Sequence, residues 1–194
     1  MKRLAMTAIA SLAPVMASAA PAILPTHDVE VQYSLTAPGQ PPQALELFYH
    51  AASESARINS NNGYYVLANL PAGQAQIVVP ALHAVVLAPD FSALTATLFL
   101  AESAKFTRLQ QGHYAGLTCQ TYRVVDKNGT ATACITADGV TLHFAGEDSH
   151  GAASLTATRV TYEAQPASQF QAPTGFSQLT LPPSAIKALL APSN

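Results

Sequence analysis

The stretch AQIVVPALHAVVLA, residues Ala75 to Ala88, decides the fold. It holds two short runs, Ile77-Val78-Val79 and Val85-Val86-Leu87, that are apolar at every position instead of every second one. A strand points successive side chains to opposite faces, so runs of this kind need cover on both sides. A single sheet with one wet face cannot supply that cover. The next segment of chain can: Asp90 is a helix N-cap, and Phe91, Leu94, Leu98 and Ala101 recur at helical spacing within Phe91 to Glu102. A strand reading competes there, because Leu94, Ala96, Leu98 and Leu100 also alternate and Thr95 and Thr97 are β-branched.

Working outward, the period of two recurs. Val29, Val31, Tyr33 and Leu35 alternate with polar neighbours, and Leu45, Leu47 and Tyr49 resume the pattern after the Pro38 to Pro42 loop. A short piece around Arg57 and Ile58 leads through the turn-rich Asn59 to Gly63 into Tyr64 to Ala68. Downstream, Phe106 to Gln110, Leu117 to Val125, Thr130 to Thr136, Val140 to Phe144 and Leu155 to Tyr162 read as a meander, with turns at Asp126 to Gly129 and at Asp138-Gly139. A Pro-interrupted tail ends in Ser184 to Leu190, a short helix with Ser184 as cap. The pattern predicts a mainly β fold with a minor α part: a strongly curved antiparallel sheet, or open half-barrel, over a helical plug.

The first 19 residues are an address. Lys2 and Arg3, the apolar run Leu4 to Met16 and the small residues Ala17-Ser18-Ala19 read as a secretory signal peptide cut after Ala19. The expected organisation is therefore a signal peptide at 1–19, an extended lead-in at 20–27, one domain at 28–182 and a C-terminal tail or short helix at 183–194. No other run is long and apolar enough for a transmembrane anchor, so a periplasmic or secreted protein is expected.

Removing Lys2 and Arg3 leaves seven Lys and Arg against eleven Asp and Glu, a formal charge of −4. The cations are scattered singly, which argues against a nucleic-acid partner. Two cysteines, Cys119 and Cys134, in an oxidising compartment predict a disulfide. Its register is a difficulty. With Lys127-Asn128-Gly129 as the loop, Tyr122 faces Cys134 and Cys119 lies ~10 Å away, so a bulge or a turn recentred on Asp126-Lys127 is required.

Chemical motifs are sparse. There is no GxSxG, HExxH, phosphate loop or CxxC, and no cofactor is indicated. His50 and His143 fall on the polar phase of their strands and are expected to face solvent; His83 lies in an apolar run and is expected in the core. The loop Glu147-Asp148-Ser149-His150 offers metal ligands without a fixed geometry. Asp28 and Glu30 read as solubilising carboxylates on an edge strand. Tyr64, Tyr65, Tyr114 and Tyr122 are aromatics that could line a cavity or belong to the core.

The chain as a whole resembles a group of exported proteins of alphaproteobacteria, acetic-acid bacteria in particular. The resemblance rests on His27 to Tyr33, Ala115 to Cys119, Cys134 to Val140 and Phe170 to Phe176. That group is similar to the lipoprotein-carrier-like (LolA/LppX-like) superfamily, which implies an open half-barrel, plugged by helices, that shelters acyl chains. The segment 91–102 would be the plug. Trp, frequent in the carriers, is absent, and none of their functional positions can be carried over.

The leading expectation is a non-catalytic binding module for a lipid or other apolar ligand. The ligand would lie between Phe91, Leu94 and Leu98 on the plug and Tyr65, Val66, Ile77, Val79, Val85 and Leu87 on the sheet. The alternatives are an envelope structural or protein-interaction module with a filled core, and a hydrolase of unrecognised type marked by His and carboxylate groups converging in one cleft.

Overall fold

The computed structural model describes residues 21–87, 104–126, 129–148 and 151–190. Twelve strands form one sheet. They are β1 (Val29–Thr36), β2 (Gln43–His50), β3 (Ser55–Ser60), β4 (Tyr65–Asn69), β5 (Gln74–Val79), β6 (Ala84–Leu87), β7 (Lys105–Tyr114), β8 (Leu117–Asp126), β9 (Gly129–Ile135), β10 (Thr141–Asp148), β11 (Gly151–Thr161) and β12 (Ser177–Thr180). One helix, α1 (Pro183–Leu190), follows. The order across the sheet is β12-β6-β5-β4-β3-β2-β1-β11-β10-β9-β8-β7. Two antiparallel meanders thus run outward in opposite directions from the central pair β1 and β11.

The sheet is open, because its end strands β12 and β7 do not pair, and it is strongly curved. In a flat sheet Tyr114 on β7 and His143 on β10, three places along, would stand about 14 Å apart. Their rings stack at 4.8 Å. The architecture is the open half-barrel that the alternating strands predict.

One cross-strand row explains where the core sits. Val31 pairs with Leu47, Leu47 with Ile58, Ile58 with Val66, Val66 with Ile77 and Ile77 with Val86, so six neighbouring strands point one buried residue each to the same face. Such directly opposed pairs are the unit of sheet stabilisation. Leu181, Ile186 and Leu189, at the head of α1 and within it, pack against this face.

The doubly apolar strands are covered on both faces, as their sequence requires. The outer face of β4 to β6 presents Leu67, Val78 and Val85 with Tyr65 beside them, and its cover is Ala172 and Phe176 from the C-terminal tail. The tail then pairs in parallel with β6 as β12 and turns onto the inner face as α1. The segment Phe91 to Glu102, the plug expected from sequence, lies outside the described residues.

Several local expectations are corrected. The sequence reads as a strand from Leu82 to Ala88, but β6 begins two residues later, because Pro80–Leu82 form a 3-10 turn ending on His83 at φ 48°, and Leu82 is 68% exposed. β1 is central, not an edge strand. α1 begins on Pro183, a favoured first helical residue, which places Ser184 inside the first turn and not at the cap. The lead-in lies across the turn before β10: the Thr26 backbone N–H donates to the Asp138 carbonyl at 2.9 Å.

Cys119 and Cys134 form a disulfide. No bulge restores the pairing, for the β8–β9 register is continuous and Asp126 pairs with Gly129. The tighter loop places Thr121 opposite Cys134. Cys119 is then one diagonal step away on the same face, and the twist of the curled hairpin closes the Cα–Cα distance to 5.3 Å.

Candidate functional site

The residues expected to line an apolar site do not share one face. Val66, Ile77 and Val79 belong to the inner core, whereas Tyr65 and Val85 belong to the outer patch under Phe176. Leu87 pairs with Gln76 and is 36% exposed on that outer side. Phe91, Leu94 and Leu98 lie outside the described residues. Period-two geometry is the reason for the split: Tyr65 is opposite Val78 and Val66 opposite Ile77, so consecutive residues in these strands serve different surfaces.

The inner group is deeply buried. Ile77 is 0% and Val66 1% exposed, so this part of the inner face is packed, with α1 lying over the same core. Its cover is not a strand of the sheet. Tyr33 lies in the same core, where burial raises the pKa of its phenol; the hydroxyl donates to the Thr141 carbonyl at 2.8 Å.

A second feature is a polar node at the centre of the sheet. The two carboxylate oxygens of Asp28 accept the backbone N–H groups of Ala51 and Gln165, each at 2.8 Å. Burial alone would raise the Asp28 pKa, but these two donors and the nearby His50 outweigh it and hold the pKa below 3.8. Asp28 is therefore a structural tie and not a solubilising charge. His50 hydrogen-bonds Ser53 through Nδ1 at 2.7 Å and lies against the Phe170 ring.

The third feature is a groove of about 490 Å3 on the curled β7–β10 part of the sheet. Its walls are Leu109 to Gly112 and Tyr114 of β7, with Thr121, Thr132 and His143 from the next three strands. His143 does not face solvent as its strand phase suggests. Its ring is parallel to Tyr114 within 8°, its Nδ1 lies 2.9 Å from the Thr156 hydroxyl, and burial lowers its pKa. The curl of β7 over β10 is the missing signal, since strand periodicity says nothing of residues three strands apart. His83 departs the other way: it is exposed at the 3-10 turn, beside Phe176, with its carbonyl accepting the Ser177 N–H.

Among the described residues, no carboxylate lines this groove, and no three His, Cys, Asp or Glu side chains are grouped to hold a metal. Of the Glu147 to His150 loop, Ser149 and His150 lie outside the described residues. Tyr122 meets Phe106 edge-on in a satellite core, Tyr64 packs against the main core, and Arg57 stacks its guanidinium 4.0 Å from the Tyr65 ring centre. Among the described residues no helix is long and apolar enough to cross a membrane.

The sequence matches no protein-family model and no curated protein. Solved structures do share the fold. A conserved protein from Thermus thermophilus aligns over 80% of this chain and 91% of its own, at 8% identity and a TM-score of 0.59. MucB of Pseudomonas aeruginosa, solved as the MucA/MucB complex, aligns over 80% of this chain at 15% identity and a TM-score of 0.52. This chain spans 62% of the MucB chain. A LolA superfamily protein from Nitrosomonas europaea aligns over 77% of this chain and 92% of its own, at 10% identity and a TM-score of 0.43. At these identities the likeness establishes a shared half-barrel fold and nothing of activity.

Proposed function

We propose that this chain is an exported, non-catalytic binding module that holds a lipid or other apolar ligand against the inner face of its half-barrel, in the periplasm or the medium. One observation carries the reading. The six-strand apolar row from Val31 to Val86 is covered by chain that is not part of the sheet, including Ile186 and Leu189 of α1. Displacing a cover of this kind would let an apolar ligand take its place without breaking the backbone ladder. On this reading Val66, Ile77 and Val79 contribute from the sheet, and Phe91, Leu94 and Leu98 are the plug residues expected from sequence. Tyr65, Val85 and Leu87 serve the outer face instead.

A second reading has its own support. Ile77 and Val66 are already fully packed, and the half-barrel of MucB is solved in complex with MucA(peri). Both favour an envelope interaction module that docks a protein partner on its surface.

Titration with the apolar fluorophore N-phenylnaphthylamine separates the two. The binding reading expects saturable uptake by the wild type, and a severalfold change in affinity for Ile186→Asp with the β-sheet circular dichroism retained. Absence of uptake by the wild type, together with global unfolding of Ile186→Asp from a charge buried in plain core, would favour the interaction module.

A further inference from the structure

The groove between β7 and β10 shares no lining residue with the Val31 to Val86 row, although Tyr114 and the disulfide beneath it pack in the same main core. Its floor is built by a close approach. A Cβ on Gly112 would stand 2.7 Å from Cys134 Sγ and 3.3 Å from both Thr121 Oγ1 and the Tyr114 ring. Glycine is therefore required for the β7 backbone to settle onto the disulfide. The stacked rings of Tyr114 and His143 form one wall, and Gln110 and Gln111 stand on the rim.

The chemistry of the lining excludes several ligand classes. Among the described residues no Lys or Arg lines the groove to hold an anion, and no Asp or Glu lines it to hold a cation. His143 is held toward its neutral form by burial. Amide and hydroxyl groups of Gln110, Gln111, Thr121 and Thr132 alternate with the apolar surfaces of Leu109 and Tyr114, a mixed lining that suits a ligand with both hydroxyl and C–H faces. An added peptide strand is also disfavoured, because the β7–β8 register shifts between Arg108 and Gln111 and the Gln120 amide donates to the carbonyls of Leu109 and Gln110 at 2.7 and 3.2 Å. A bulged edge whose carbonyls are already engaged presents no continuous ladder.

We infer that this groove is a second binding site, for a neutral polyhydroxylated ligand of the size of a disaccharide. Amide and hydroxyl side chains match sugar hydroxyls, the aromatic pair offers a flat surface for sugar C–H groups, and the volume falls in the range of small-molecule sites, about 300 to 1,000 Å3. The inference stands independently of the apolar-ligand reading, which concerns Val66, Ile77 and Val79 on β4 and β5.

The test is a 15N–1H NMR titration of the full mature chain with N,N′-diacetylchitobiose, maltose and cellobiose in turn. At least one should produce saturable shifts confined to Gly112, Tyr114, Thr121, Thr132 and His143. Gln111→Ala, an exposed change that leaves the fold intact, should weaken that binding about two- to tenfold, the equivalent of one hydrogen bond. The inference is overturned if none of the three sugars moves these signals. It is equally overturned if the shifts are scattered over the surface, or if an uncharged tetrapeptide moves the same signals and the sugars do not.

Discussion

Thr121, not Cys119, stands directly opposite Cys134, and the disulfide spans the diagonal between β8 and β9 beneath Gly112. The protein as isolated from an oxidising compartment should show no alkylatable thiol by intact mass. Replacing both cysteines by Ser should cost about 3 kcal/mol, the chain-entropy value for a loop of this length. Gly112→Ala should cost a further ~1–3 kcal/mol in the disulfide form, because its Cβ meets Cys134 Sγ. In a Cys119→Ser/Cys134→Ala background that sulfur is gone, and the Gly112→Ala penalty should shrink by half or more. A double-mutant cycle from urea unfolding checks the coupling.

Gly139 and Gly39 both have positive φ, at 94° and 68°, but only Gly139 is crowded. A Cβ there would overlap the Leu24 carbonyl, whereas nothing lies within 4 Å of one on Gly39. Gly39→Ala should cost about 1 kcal/mol from backbone strain alone. Gly139→Ala should cost ~3 kcal/mol or more, because the lead-in that donates Thr26 N–H to Asp138 must lift away. Equal costs in chemical denaturation would contradict the docked lead-in.

The strands were legible because burial in a sheet writes a period of two into the chain, as in Val29, Val31 and Tyr33 or Leu45, Leu47 and Tyr49. The doubly apolar runs correctly demanded cover on both faces. Their outer cover was not legible: Ala172 and Phe176 lie about 90 residues downstream, and β12 is a four-residue exposed strand with one aliphatic side chain, Leu179. Treating Tyr65 with Val66, and Val85 with Ile77, as one site ignored that neighbours along a strand point apart. The groove was missed for a related reason. Tyr114 meets His143 through curvature across three strands, and only the folded sheet carries that information.

Asp28 should make stability depend on acid pH. Its folded pKa lies below the unfolded value of about 3.8, so its contribution is complete above that value and is lost as pH falls through the lower, folded pKa. The advantage of the wild type over Asp28→Asn in urea unfolding should therefore be present at pH 5 and shrink below pH 4. An advantage that persists unchanged at pH 2 would show that the carboxylate charge does not act through the Ala51 and Gln165 N–H groups.

The central claim, a half-barrel that holds an apolar ligand under a separable cover, is tested most directly by native mass spectrometry of the protein purified from its own envelope without detergent. The account predicts a population carrying one extra mass of a few hundred daltons, identified as lipid after extraction and displaced by added fatty acid. A single bare species from the native source, combined with failure to take up fatty acid added to the purified protein, would contradict it.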